Sequence, residues 1–218
     1  MKRRAAWCAL VFLLTLLSQW PARWLAEPLM LPVTGLSGSL WHGQAKRLAE
    51  IDRPAWHLQP WRLRAEFSGG WQGQRWDLRM QGWPWDWQVL VQPGERYAGQ
   101  AGSYRLAGHW QGRIALQGSA TQCRRAQGQV SVTSLELQAP WQLPLGQAAL
   151  QLDCSAGMKL LAKLQLADQH QAELEADILG RRAKLEGAVE AGAAIYPMLV
   201  SAQWLTPGDT RLARNIRW

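Results

Sequence analysis

The tightest constraint in this chain is a period-two alternation of apolar side chains, broken at short intervals by glycine, proline or Asp-Gln pairs. Leu150, Leu152 and Cys154 alternate, then Leu160, Ala162, Leu164 and Leu166, then Leu174, Ala176 and Ile178, then Ala183, Leu185, Gly187 and Val189. Gly157, Asp168-Gln169 and Gly180-Arg181 separate the runs. Side chains along a strand point alternately to opposite faces, so each run has one apolar and one polar face. The short breaks predict an antiparallel meander. Glu173 to Lys184 also contains good helix formers, but Gly180 and the period of two favour strands.

Upstream, the same period is punctuated differently. Leu36 to Ala45 reads as a glycine-punctuated strand and turn. Trp56, Leu58, Trp61, Leu63, Ala65 and Phe67 flank Pro60 and read as one half-buried strand, bulged or placed at an edge. Trp76, Leu78 and Met80 follow, and then Trp83, Trp85 and Trp87. As a strand those three Trp would line one sheet face, with Pro84 keeping it from a central ladder position. Val130, Val132, Leu135 and Leu137 predict a bulged strand, and Tyr196, Met198 and Val200 a last one. Trp stands two residues before Gly at Trp41, Trp71 and Trp110, at spacings of 30 and 39 residues. Unequal spacing shows no fixed solenoid period, which leaves a recurring local device or coincidence in a Trp-rich chain.

Lys2, Arg3 and Arg4 precede an apolar run from Ala5 to Leu17. A positive segment before an apolar one directs a chain to a membrane. Ala5 to Ala22 is 18 residues, about 27 Å as a helix, near the lower limit for crossing a bilayer core. The windows ending at Ala22 and Ala26 put Trp20 and Trp24 where signal peptidase needs a small residue, which favours a retained anchor over a cleaved leader. Trp20 and Trp24 would then sit at the interface, with Arg23 beyond the hydrocarbon. The charge bias places the N-terminus in the cytoplasm and the remaining mass outside. The reading is residues 1–26 as n-region and transmembrane anchor, and residues 27–218 as a periplasmic β-rich domain, with two sub-regions meeting near Gln117 as one option. The fold class is a single N-terminal transmembrane helix followed by a mainly antiparallel all-β domain, a curved meandering sheet or a sandwich.

Composition limits the partners. The formal charge of +8 falls to +4 once Lys2, Arg3, Arg4 and Arg23 are set aside, leaving 20 basic against 16 acidic side chains. Arg124-Arg125 and Arg181-Arg182 with Lys184 are short clusters at turns and read as solvated surface. The Arg211, Arg214 and Arg217 tail reads the same way, with anionic headgroups as the alternative contact. No zinc finger, helix-turn-helix or interleaved aromatic-basic motif points to nucleic acid. His42, His57, His109 and His170 show no metal-ligand spacing, and there is no Cys-x-x-Cys, so neither a metal nor another cofactor is expected. No nucleophile elbow or phosphate loop occurs, and no small-molecule substrate is expected. Asp77 and Asp86 bracket the Trp-rich turn and could form an acid and base pair, although a solvated turn is the simpler reading. No catalytic residue is assigned.

Cys8 lies in the anchor segment and reads as a small apolar residue. Cys123 and Cys154 lie outside it, where disulfides persist. They either pair across 31 residues or stay as two buried thiols. Trp41, Trp83, Trp85 and Trp87 either pack in the core or form a ridge for a partner chain or a lipid tail.

The order of these features resembles the type II secretion system protein N family. The resemblance rests on the N-terminal anchor, the segment Leu31-Pro32-Val33-Thr34-Gly35-Leu36-Ser37-Gly38-Ser39-Leu40-Trp41-His42-Gly43-Gln44-Ala45, the Trp-rich strands after it, and the cysteines Cys123 and Cys154. Its most specific element is Gly38-Ser39-Leu40-Trp41-His42-Gly43, and the layout extends over nearly the whole chain. The resemblance implies a bitopic inner-membrane protein with a periplasmic β-rich domain and an accessory or structural role in exporting folded proteins. It implies other secretion components of the inner membrane or periplasm as partners and membrane lipid around the anchor, and it supplies no catalytic residue. The competing reading is a periplasmic lipid carrier, in which an open apolar sheet face holds acyl chains.

Overall fold

The computed structural model describes residues 32–95, 104–155 and 157–218. The anchor expected over residues 1–26, with Cys8, lies outside the described residues. Among the described residues no helix is long and apolar enough to cross a membrane.

Among the described residues fifteen strands form one sheet, and every pair of them is antiparallel. Four short strands open it: β1 (Val33–Thr34), β2 (Ser37–Gly38), β3 (His42–Gln44) and β4 (Arg47–Leu48). A meander follows through β5 (Ile51–Gln59), β6 (Arg64–Trp71), β7 (Gln74–Trp83) and β8 (Asp86–Pro93). Two long strands, β9 (Arg105–Ser119) and β10 (Gln122–Ala139), form the central hairpin. The meander resumes with β11 (Leu143–Asp153), β12 (Lys159–Leu166), β13 (His170–Asp177) and β14 (Arg182–Val189), and ends with β15 (Arg211–Arg217). From β4 to β15 each strand neighbours the next in sequence.

The long hairpin carries a step. Strand β8 pairs with only one end of β9, from Val91 opposite Ile114 to Trp87 opposite Gly118. Strand β11 pairs with the other end of β10, from Leu150 opposite Val130 to Leu143 opposite Leu137. Gly112 and Gly128 lie at this changeover, paired with Val130 and Ile114, and both have positive φ, +98° and +85°. A Cβ at Gly112 would collide with the Gln129 carbonyl oxygen, and one at Gly128 with that of Arg113. Both strands therefore take a backbone conformation at this point that side chains other than hydrogen disfavour.

Directly opposed residues share a face, so the register sorts the side chains. Trp56, Phe67, Leu78, Val91 and Ile114 form one row across β5 to β9. Val130, Leu150, Ala162, Leu174 and Leu185 form another across β10 to β14. Beside it run Trp110, Val132, Ala148, Leu164, Ala172, Gly187 and Leu212. The opposite face carries Lys163 on Glu173 at 2.9 Å and Lys159 on Glu175 at 2.6 Å. Such exposed pairs add little stability, but they mark this face as solvated.

Burial is deep at the central hairpin, where Val130 and Val132 are each 1% exposed. A second cluster forms where residues 190–210 fold back. There α1 (Tyr196–Ser201) and the loop after it seat Leu199 and Leu205 against Val189, Ala193 and Leu212.

Three segments differ from the sequence expectations. Pro60–Arg62 is a 3₁₀ turn, so the run around Pro60 is two strands joined by a hairpin. Trp83 and Trp87 belong to different strands with Pro84 and Trp85 in the turn between them, so the three Trp do not line one face. Tyr196 to Val200 is helical: Tyr196, Leu199 and Val200 fall on one stripe that packs on the sheet, and Pro197 suits a first helical turn. The Arg-rich tail supplies the final strand instead.

Candidate functional site

The segment that carries the family resemblance is a small clamp. Strands β2 and β3 pair Ser37 with Gln44 and Gly38 with Gly43, and β3 lies on β5 with Gly43 opposite Trp56. A Cβ on Gly43 would enter the Trp56 indole and come within 2.8 Å of the Ser37 carbonyl oxygen. The Trp56 N–H donates to the carbonyls of Leu40 at 3.1 Å and Ser39 at 3.3 Å. The Ser39 hydroxyl accepts from the backbone N–H groups of Trp41 and His42, each at 3.3 Å. Gly43 is required because an indole occupies the space where its side chain would be. Trp41 itself is half-buried.

The remaining candidate aromatics separate by position. Trp87 is half-buried on the apolar face, and its indole N–H donates to the Ala120 carbonyl at 2.9 Å, tying the β7–β8 turn to the β9–β10 turn. Trp83 and Trp85 are exposed, 52% and 62%, and stack on each other with centroids 5.0 Å apart. Trp61, in the neighbouring turn, is 74% exposed. The Gly82 N–H donates to the Leu63 carbonyl at 3.0 Å, which holds the two turns side by side. This end of the sheet therefore presents a rim of indoles to its surroundings, and exposed aromatic surface of that kind marks contacts. Trp61 was readable as a turn residue from its place after Pro60.

Cys123 and Cys154 are joined in a disulfide, with Cα atoms 5.4 Å apart. Strand β11 leaves β10 beyond Leu150, and the bond returns its end to the distal part of β10. Cys154 packs there with Ile114, Leu116 and Val130, so the crosslink sits on the apolar face at the step in the sheet.

That apolar face continues across β11 to β14. Leu150, Ala162, Leu164, Leu174 and Leu185 are only half-buried. No second sheet packs over them among the described residues, and residues 190–210 cover only the β14 and β15 end. Trp76 on β7 and Trp110 on β9 meet edge to face at 5.3 Å. Both of their indole nitrogens are buried and lack a hydrogen-bond partner. A buried N–H without an acceptor is costly, so this pair is a place where an acceptor would be favoured.

The polar candidates do not converge. Asp77 pairs with Ser68 and Gln92, while Asp86 pairs with Trp83, six residues farther along β7. That separation is about 20 Å along the strand, too far for a carboxylate pair acting on one glycosidic bond. His42 and His57 face each other on β3 and β5, His109 is on β9 and His170 on β13. Among the described residues no three His, Cys, Asp or Glu side chains gather as a metal site. His170 is buried with its Nε2 donating to the Leu145 carbonyl at 3.3 Å, and its Nδ1 has no partner. Burial holds its pKa below the usual histidine value, so the imidazole is neutral at neutral pH.

No family model, curated protein or solved structure matches this chain.

Proposed function

We propose that this chain is a non-enzymatic accessory or structural component of a type II secretion system, anchored in the inner membrane by residues 1–26 and docking its partners through a periplasmic β domain. The resemblance in layout supports the secretion setting. One observation carries the docking role: the apolar sheet face is half-exposed from β11 to β14, and elsewhere in the same sheet the β7–β8 turn presents exposed indoles. An apolar face of that size gains free energy from any cover that removes it from water. The partners are other inner-membrane or periplasmic components of the same machinery, with lipid around the anchor.

Deleting the gene in a strain that depends on the complete machine is expected to lower exoprotein in the medium and leave it in the periplasm. Complementation with Leu174→Arg is expected to fail, while Glu173→Arg, one residue along and on the solvated face, restores release. Unimpaired release after deletion would remove the secretion role.

The lipid-carrier reading has its own support in the unsatisfied indole nitrogens of Trp76 and Trp110. An ester or amide carbonyl of an amphiphile on the apolar face would supply the missing acceptor, with its acyl chain over the Leu150 and Leu174 row. The two readings share the surface and differ in its occupant.

A further inference from the structure

The two edges of the sheet are built differently. At the N-terminal side, β5 is bordered by β3 and β4, strands of three and two residues, and β1 and β2 are no longer. At the C-terminal side β15 runs for seven residues with no proline and no bulge, and among the described residues it pairs with β14 alone. Short edge strands resist pairing with another chain, whereas a long regular one offers a template for it.

The register tells which backbone groups are free. Val189 donates its N–H to the Thr210 carbonyl, and Trp218 donates to Arg181. Hydrogen-bonded pairs alternate along an antiparallel ladder, so Leu212, Arg214 and Ile216 turn their N–H and C=O groups toward β14. Arg211, Ala213, Asn215 and Arg217 turn theirs outward. The same four residues place their side chains on the polar face, and all four are exposed. Neither Arg211 nor Arg217 makes an ion pair among the described residues. Arg214 points to the other face, where its guanidinium donates to the carbonyls of Gln203 and Trp204. Ile216, also on that face, is 37% exposed at the margin of the apolar rows.

From this we infer that β15 is the docking edge for an extended acidic segment of another protein, which adds to the sheet as a sixteenth strand. Charge selects the occupant. A second copy of β15 paired antiparallel about its centre would set Arg211 against Arg217 twice, and like charges directly opposite are destabilising. A partner strand with carboxylates six residues apart meets both arginines instead. An apolar side chain one position inward from the first carboxylate would cover Ile216. The main-chain bonds supply a general grip and the arginines the selectivity. The inference does not depend on the secretion reading, because it concerns a different surface and its test is made on the purified protein.

The probe is a seven-residue synthetic peptide with Glu at both ends, Val at the second and sixth positions and Thr between. Titrated into the full chain in detergent micelles, it is expected to bind and to slow amide exchange at Ala213 and Asn215. The same peptide with Lys for Glu is expected to bind at least about tenfold more weakly. A Glu peptide N-methylated on the amides that face β15 is expected not to bind, and this comparison leaves the protein unaltered. The double variant Arg211→Glu, Arg217→Glu is expected to reverse the preference between the Glu and Lys peptides. Equal binding of the two peptides by the wild-type chain would overturn the inference. So would binding without protection at Ala213 and Asn215, or protection of those amides by self-association in the absence of peptide.

Discussion

Replacing both Cys123 and Cys154 with alanine is expected to lower the unfolding free energy by about 3 to 4 kcal/mol, the loop-entropy value for a crosslink of this span. The position of the bond gives it a second effect. From Gln129 back to Gln122, β10 has β9 on one side and no strand of the β11 ladder on the other. The disulfide is what returns the end of β11 to that stretch, and Cys154 closes the buried group of Ile114, Leu116 and Val130. Exchange at the amides of Ile114, Leu116 and Val130 should therefore quicken more than at the amides of β13. Denaturant titrations of wild-type and variant, each with and without reductant, provide the check. Reductant should move the wild-type curve onto that of the variant and leave the variant unmoved. Coincident curves for all four samples would show that the crosslink contributes nothing.

The second large effect is at the step in the sheet. Gly112→Ala and Gly128→Ala each put a side chain where φ is positive, at about 1 to 2 kcal/mol for the left-handed backbone alone, and each new Cβ must also displace a facing carbonyl. Together they are expected to cost about 3 kcal/mol or more. The two glycines flank the single pair Arg113 and Gln129, so their effects should not add independently. Gly192→Ala is the reference, because nothing lies within 4 Å of its added Cβ and its backbone is not left-handed. Thermal unfolding of the three variants gives the comparison. A loss at Gly112 and Gly128 no larger than at Gly192 would mean that the hairpin does not need glycine at these positions.

The four strands from Leu143 to Val189 were legible because every break between them is a glycine or a polar turn. The two-sided chemistry was legible for the same reason, since a period of two records which face each residue occupies. The hairpin around Pro60 is also signalled in the sequence, by phase rather than by period. Apolar positions are even at Trp56 and Leu58 and odd at Ala65 and Phe67, and that change of phase marks an inserted turn. A similar change occurs at Pro84, between Leu78 and Met80 on one side and Trp87, Val89 and Val91 on the other. Tyr196, Met198 and Val200 are too few to separate a period of two from 3.6, and the contact of Leu199 with the sheet decided for helix.

Other features are not local properties of sequence. An alternating strand looks the same in a sandwich as in an uncovered sheet, so the half-exposed rows of β11 to β14 could not be read from their residues. The choice between a disulfide and two thiols depended on the return of β11 to β10, which spacing does not encode. The roles of the three Trp-x-Gly sites also diverge. Gly43 admits the Trp56 ring, Gly73 lies in the β6–β7 turn, and Gly112 takes a positive φ inside a long strand with the Gln129 carbonyl where its side chain would be. A shared triplet there reflects three separate demands for a missing side chain.

In the proposed docking role the apolar face of β11 to β14 holds a partner. The most direct measurement is photo-crosslinking in cells, with a photoreactive residue at Leu174 on the apolar face and, separately, at Glu173 on the solvated face. Adducts are identified by mass. A discrete protein adduct from position 174, absent from position 173, is the expected result, and an adduct with lipid there would instead select the carrier reading. No adduct from 174, or the same adducts from both positions, would contradict a binding role for this face.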